Sequence, residues 1–262
     1  MLKEISVNKL SNGLPYTIIT YRDAINHICN QAEFQNEVKM IFTPNVHHYY
    51  LYATDKEFRS AYDVSYMSLL DGMPLVWLSR IINKDKTEKV SGSDIFIDLF
   101  KKGLELNYKI YLLGGASGVA QKVIEKFDVE KRFQERIFFD SPPKGFELDR
   151  KIEDEVIMKI NKVSPNLLFV ALGSPKQEIW ICRNRKKLKA NIVIGVGGSF
   201  DFVAGITPRA PIWIQKISLE WLFRLLMEPK RLWKRYLITN TYFICDNIKI
   251  LIKTIIYFIL KK

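Results

Sequence analysis

Five short apolar runs punctuate the first 200 residues: VKMIFT (38–43), YKIYLLG (108–114), ERIFFD (135–140), NLLFVALG (166–173) and NIVIGVGG (191–198). Each is apolar at nearly every position and closes on Gly, Asp or Thr, as parallel strands buried on both faces do. Between them apolar positions recur at helical spacing and predict helices near 21–35, 45–61, 94–107, 117–128, 149–163 and 175–189. Asp94 and Ser117 read as N-caps. Ser174-Pro175-Lys176-Gln177 reads as a capping box, with serine at the cap, proline at the first helical position and glutamine at the third. Strand alternating with helix predicts an α/β domain over residues 1–205, a Rossmann-like, mainly parallel sheet flanked by helices.

Beyond residue 205 the strand signals stop. Residues 206–240 read as helices rich in Trp, Leu and Arg. In the final stretch, 240–262, Asp246, Lys249 and Lys253 share one helical face, and Ile, Leu, Phe and Tyr fill the others. The longest uncharged piece there, 254–260, has seven residues, against the roughly 20 that a membrane span needs. The pattern is that of an amphipathic helix lying in a membrane interface; the alternative is a helix buried against the domain. Residues 206–262 thus read as a helical, membrane-associating appendage.

Charge sharpens that division. The chain carries a net charge of +12, and from Arg224 onward nine Lys or Arg face only Glu228 and Asp246, so +7 of it lies in the last 39 residues. A basic segment asks for an anionic partner: nucleic acid, an anionic membrane or a phosphorylated ligand. The apolar density of residues 237–260 favours lipid over nucleic acid. Hydrophobic residues at 48% and charged ones at 26% are the mix of a folded globular protein. Cys29, Cys182 and Cys245 lie far apart with no Cys-x-x-Cys, so neither a disulfide framework nor a zinc site is indicated. MLKEISVNKL lacks a signal-peptide pattern, and the compartment expected is the cytoplasm.

In parallel α/β sheets ligands bind outside the carboxyl ends of the strands, which directs attention to the polar strand ends. YLLGGASGVA (111–120) places Gly114 and Gly115 before a helix start, either as an anion-binding turn or as a plain tight turn. In LGSPKQEIW (172–180), Gln177 either completes the capping box or hydrogen-bonds a sugar. In IGVGGSFDFVAG (194–205), Gly197 and Gly198 precede Asp201, which either meets ribose hydroxyls or a base edge, or caps a helix. Thr43 and Asn45 close the first strand. In SLLDGMPLVW (68–77) two apolar runs meet at Asp71-Gly72, and Met73-Pro74 starts a helix. Asp-Gly favours a tight turn, but flanks this apolar place Asp71 at the edge of the cleft rather than in a solvated loop. His47-His48 lacks a second ligand cluster and reads as packed or surface histidine. No Asp-x-Asp is present to hold a nucleotide-bound metal. Arg224, Arg231 and Arg235, at i, i+7 and i+11, line one helical face unless Pro229 bends that helix, and guanidinium forks suit a diphosphate. Trp221, Trp233 and Tyr236 interleave with them, which favours an interfacial setting over a solvated basic face.

Taken together these pieces resemble the WecG/TagA/CpsF family of bacterial glycosyltransferases. The resemblance runs from about Phe42 to Leu237 and rests on TPN (43–45), LDGMPLVW (70–77), SGSD (91–94), LLGG (112–115), LGSPKQE (172–178), GVGGSFDFVAG (195–205), RAP (209–211) and LEWLFRLLMEPKRLWKRYL (219–237). It implies an inverting, metal-independent transfer of an N-acetylhexosamine from UDP, with no cofactor. The acceptor would be a sugar on a polyprenyl diphosphate at the cytoplasmic face of the membrane, feeding teichoic acid, enterobacterial common antigen, capsule or exopolysaccharide. It implies Asp71 as catalytic base, Thr43 and Asn45 in the sugar pocket, Gln177 at the substrate and Asp201 near the nucleotide. Arg224 and Arg231 would approach the diphosphate, with Arg235 and its neighbour Lys234 competing for a third position. Leu70 stands where the family usually has proline. The donor sugar, the final polymer and the oligomeric state stay open, a homo-oligomer included.

Three other readings follow from the same residues. One is a non-catalytic membrane-peripheral protein binding anionic lipid through its tail. Another is nucleic-acid binding by that tail. The third is a nicotinamide-dependent dehydrogenase using LLGGASG as its phosphate turn, with Asp140 as the acidic ribose ligand.

Overall fold

The computed structural model describes residues 5–34, 37–128, 132–216 and 218–260. The chain opens with strands β1 (Ser6–Lys9) and β2 (Pro15–Ile18), then α1 (Tyr21–Ala32), β3 (Lys39–Phe42), α2 (Val46–Thr54), α3 (Lys56–Asp63) and β4 (Met67–Ser68). Next come α4 (Met73–Asn83), α5 (Gly92–Glu105), β5 (Ile110–Gly114), α6 (Val119–Phe127) and β6 (Ile137–Asp140). The domain continues through α7 (Arg150–Val163), β7 (Leu167–Ala171), α8 (Lys176–Asn184), β8 (Ile192–Gly195) and α9 (Ser199–Val203). Three helices follow: α10 (Ile212–Lys216), α11 (Glu220–Met227) and α12 (Pro229–Leu260).

Six strands form one parallel sheet in the order β4-β3-β8-β7-β5-β6. Side chains alternate across it, as the two-residue period of a strand requires. Phe42, Leu168, Val170 and Val193 enter one apolar layer with Tyr62, Leu70 and Trp180. Ile41, Phe169, Ile192 and Ile194 enter the other, with Phe96, Phe100 and Phe200. Helices cover both faces, which is why the strands read as continuous apolar runs.

The α/β reading holds, with local corrections. β1 and β2 form an antiparallel hairpin that the apolar runs do not announce. Its turn at Asn12-Gly13 has Gly13 at φ +90° and Asn12 Oδ1 accepting from the Leu14 amide, a recognised hairpin signal. The helix expected over 45–61 is two: Asp55 is extended, and its Oδ1 caps α3 by accepting from Glu57 and Phe58 amides at 3.0 Å. Asp94 lies inside the first turn of α5 and pairs with Arg209 instead of capping. α6 is preceded by left-handed Gly118, not capped by Ser117. Ser174 does not cap α8 either, because Pro175 stands at the cap and Gln177 turns elsewhere.

α12 packs along α2. Its buried side carries Leu232, Thr239 and Asn247, and Phe243 meets the Tyr49 ring edge-on at 5.1 Å. Tyr49 donates to Asp246, and Asn247 Nδ2 donates to the Tyr49 hydroxyl at 3.1 Å. Asp246 and Lys249 are both exposed on α12, and Asp246 also accepts from Tyr49; Lys253's side chain and Lys261-Lys262 lie outside the described residues. No helix among the described residues is long and apolar enough to cross a membrane.

Candidate active site

Because the sheet is parallel, all its carboxyl ends lie on one edge. Thr43 and Asn45 follow β3, Asp71 follows β4, Gly115 follows β5, Gln177 follows β7, and Gly197-Gly198 follow β8.

Asp71 occupies a turn held from both sides. Its own amide donates to Pro44 O at 2.7 Å, and the Val90 amide donates to Leu70 O at 2.8 Å. Leu70 is fully buried. Gly72, at φ +111°, then leads into α4. The half-buried Asp71 carboxylate accepts from the Gly92 amide at 3.3 Å. Burial pushes its carboxyl up to about 6; the Gly92 amide pulls the other way, Glu220 adds to the rise, and Lys89 and Arg224 oppose it. Thr43 stands behind: a β-carbon on Gly92 would lie 2.8 Å from Thr43 Oγ1 and 3.8 Å from Asp71 Oδ2. A side chain at position 92 would therefore press on Thr43.

Asp71 lines a cavity of about 510 Å³ bounded by the starts of α2, α4 and α5 and by α11 and α12. Asn45 lines it too, while its Oδ1 caps α2 by accepting from the His47 amide at 2.9 Å. Three cations, Lys89, Arg224 and Arg235, surround the same space. Arg224 sits over the Phe202 ring, 5.0 Å from its centre, and the Nε atoms of Arg224 and Arg235 are buried without a hydrogen-bond partner. Glu220 also faces the cavity but is engaged by Arg209 at 3.6 Å, which holds Asp94 at 2.7 Å. Burial and Arg235 lower the neighbouring His47 to about 4, so it is neutral at physiological pH.

A second, buried cluster backs this space. Gln177 Nε2 donates to Glu178 Oε1 at 2.7 Å, and Gln177 Oε1 accepts from the Gly197 amide at 3.0 Å. Glu178 in turn faces His48, which contacts the Tyr62 hydroxyl at 3.0 Å. Full burial pushes the Glu178 carboxyl up to about 7 and drives His48 well below its ordinary value. Both ends of the Gln177 amide are thereby specified, and the Gly197-Gly198 turn is held against the appendage, with Arg224 3.6 Å from where a Gly198 β-carbon would be. Ser93 and Ser199 hydroxyls lie 3.2 Å apart, joining the starts of α5 and α9.

The structure brings Asp71, Asn45, Arg224 and Arg235 to one cavity. Gln177 is buried and turned inward to its own protein partners. Gly114 and Gly115 have positive φ, and a β-carbon on Gly114 would lie 2.6 Å from Ala171 O, so a tight inter-strand approach accounts for it. Asp201 lies in the first turn of α9, half-buried, its carboxyl raised by burial and opposed by Arg231 and Arg224. The single arginine face does not form. Pro229 begins a new helix, and Arg231 is exposed and held by Glu228 at 2.7 Å. Lys89, Gly92, Glu220 and Glu178 are further residues of this region that sequence reading left without a role; only tertiary packing sets Lys89 beside Asp71. Asp140 is held by Lys159 at 2.8 Å. Among the described residues no three His, Cys, Asp or Glu side chains are grouped to hold a metal ion.

The model of the Glycosyl transferase WecG/TagA/CpsF family matches residues 10–255. Similar proteins include the N-acetylglucosaminyldiphosphoundecaprenol N-acetyl-beta-D-mannosaminyltransferases of Bacillus subtilis (strain 168) and Bacillus spizizenii. The first is 29% identical over 88% of this chain and 88% of its own. The second is 30% identical over 88% of this chain and 87% of its own. The enzyme of the same name from Staphylococcus aureus (strain MW2) is 29% identical over 62% of this chain and 61% of its own.

Proposed function

This chain belongs to the WecG/TagA/CpsF family of glycosyltransferases, and we propose that it moves an N-acetylhexosamine of the N-acetylmannosamine type from UDP to a sugar on polyprenyl diphosphate. The transfer is inverting and metal-independent. The relatives' names carry the choice of donor sugar and lipid-linked acceptor. The observation that carries the chemistry is Asp71: a half-buried carboxylate at a strand end, raised toward neutrality, in a cavity shared with Arg224, Arg235 and Lys89.

In this reading an acceptor hydroxyl attacks the anomeric carbon. Its proton passes to Asp71, the new glycosidic C–O bond forms, and the bond to UDP breaks with its electron pair leaving on the diphosphate. A base of raised pKa accepts that proton more readily than an ordinary carboxylate. Guanidinium groups lining the cavity stabilise the departing diphosphate, which supports Arg224 and Arg235 in that role. The Gln177–Gly197 contact holds the glycine turn on the nucleotide side, with Asp201 beyond it.

Residues 206–262 form an appendage resting on the inner face of the plasma membrane. Along α12, Trp233, Leu237, Ile244, Ile248 and Ile252 are all exposed at helical spacing, an apolar stripe of the kind that marks an interaction surface. Arg231 and Lys234 flank it.

The test is UDP release from a panel of UDP-N-acetylhexosamines with a short-chain lipid diphosphate–GlcNAc acceptor. Wild type should turn over without added metal and in chelator. Asp71→Asn should lose about 10²–10⁴-fold in kcat, the range of general-base catalysis, with UDP binding kept. Undiminished transfer by Asp71→Asn removes it as the base, and no transfer by wild type with any donor favours the non-catalytic lipid-binding reading.

A further inference from the structure

Asp94 of SGSD (91–94) and Arg209 of RAP (209–211) have no part in the proposed reaction, yet the structure joins them. Arg209 lies at the root of the appendage, between α9 and α10. Its Nη1 is 2.7 Å from Asp94 Oδ1, in the first turn of α5. Its Nε is 3.6 Å from Glu220 Oε1, in the first turn of α11, an ion-pair distance rather than a hydrogen bond. α5 begins at Gly92, whose amide donates to Asp71, and α11 carries Arg224 one turn beyond Glu220. One guanidinium therefore ties the helix that touches Asp71 to the helix that presents Arg224.

Glu220 needs this restraint. Among the described residues, five charged side chains line the cavity: Lys89, Arg224 and Arg235 against Asp71 and Glu220. A carboxylate there repels a diphosphate. It also stands at i to the i+4 of Arg224, with the acid on the N-terminal side, the order in which helical acid–base pairs form best. Left alone, Glu220 would take the guanidinium that the diphosphate needs. In the structure it does not: Arg224 lies over the Phe202 ring, its Nε buried without a hydrogen-bond partner.

We infer that Arg209 is a positioning residue: by engaging Glu220 it keeps that carboxylate off Arg224 and leaves the Arg224 guanidinium open to a diphosphate. Asp94, which does not line the cavity, fixes Arg209 for this task. A planar fork can meet two carboxylates at once, which a single ammonium does less well. The inference rests on the diphosphate role proposed above for Arg224 and adds the residue that keeps Arg224 available.

Calorimetric titration of the full chain with inorganic diphosphate and with UDP tests this without turnover. Arg209→Met should weaken both ligands about tenfold, about 1.4 kcal/mol. Adding Glu220→Gln removes the carboxylate that Arg209 restrains, so the double variant should return to within about twofold of wild type. Melting temperature is the folding control, and Arg209→Gln takes the place of Arg209→Met should that variant not fold. Wild-type affinity in Arg209→Met overturns the inference. So does a loss that Glu220→Gln leaves in place, the result expected if Arg209 merely fastens the appendage, and so does a wild type that binds neither ligand. The sugar-transfer assay is independent: if wild type transfers to no acceptor yet shows this loss and rescue, the proposed reaction falls and the role of Arg209 stands.

Discussion

In its proposed role as base, Asp71 meets two opposing demands. A base must be ionised to take a proton, yet the cleft that makes it a stronger base penalises the charge. The outcome is a carboxyl raised to about 6, which predicts the acid limb of the pH–rate profile. Only the ionised form accepts the proton, so kcat/KM should fall about tenfold per pH unit below pH 6 and level off above it. UDP release measured from pH 4.5 to 8 checks this; a limb near pH 4 would mean that burial does not act on the reacting form. Asp71 itself was legible from SLLDGMPLVW, because apolar flanks on both sides exclude a solvated turn. Its restraint was not. Leu70 replaces the usual proline, but its burial and the two backbone bonds from Val90 and to Pro44 hold the turn. Gly92, whose missing side chain leaves room for Thr43 and Asp71, lies 21 residues away in sequence, and no local pattern connects them.

Among the elements, α12 shows what a charge pattern leaves out. Its charges suggested a helix with one wet face, and Asp246 and Lys249 are exposed, but the pattern does not show that Asp246 and buried Asn247 meet Tyr49, or that Ser11 donates to Asn247 at 2.5 Å. Tyr49→Phe removes the hydroxyl shared by that cluster and leaves buried Asn247 short of a partner. It should cost about 1–3 kcal/mol of stability, read by urea denaturation; no loss would mean that the α12–α2 contact rests on its apolar side chains alone. The buried strands were legible as continuous apolar runs and most helices by their period. β4, two residues long, and the split at Asp55 were not, since neither is long enough to set a period. The SNG turn of the first hairpin was in plain view, but β1 is exposed and polar and β2 is only four residues long, so neither carries a clear apolar run.

For the whole molecule, the proposed contact with a membrane rests on the unburied stripe of α12. Ile248→Ser with Ile252→Ser removes apolar surface that touches nothing in the core, the two being 45% and 49% exposed. Cosedimentation with anionic phospholipid vesicles should weaken about tenfold or more in the double variant, given roughly 1.5–3 kcal/mol for each fully buried Ile, with the melting temperature unchanged. Unaltered vesicle binding would place the contact elsewhere, for example at the exposed Ile212 and Trp213. The sequence by itself determined the α/β class, pointed to the strand ends as the place of a cleft, set residues 206–262 apart by composition and made Asp71 a candidate. These follow from period, composition and turn chemistry, which are local. Tertiary structure alone decided which candidates meet. It joined Asp71 to Arg224 and Arg235, turned Gln177 inward to Glu178 and Gly197, and set Arg231 aside with Glu228. The first of these depends on strand order, helix breaks and burial, which bring together residues more than 150 positions apart, and no local pattern encodes it.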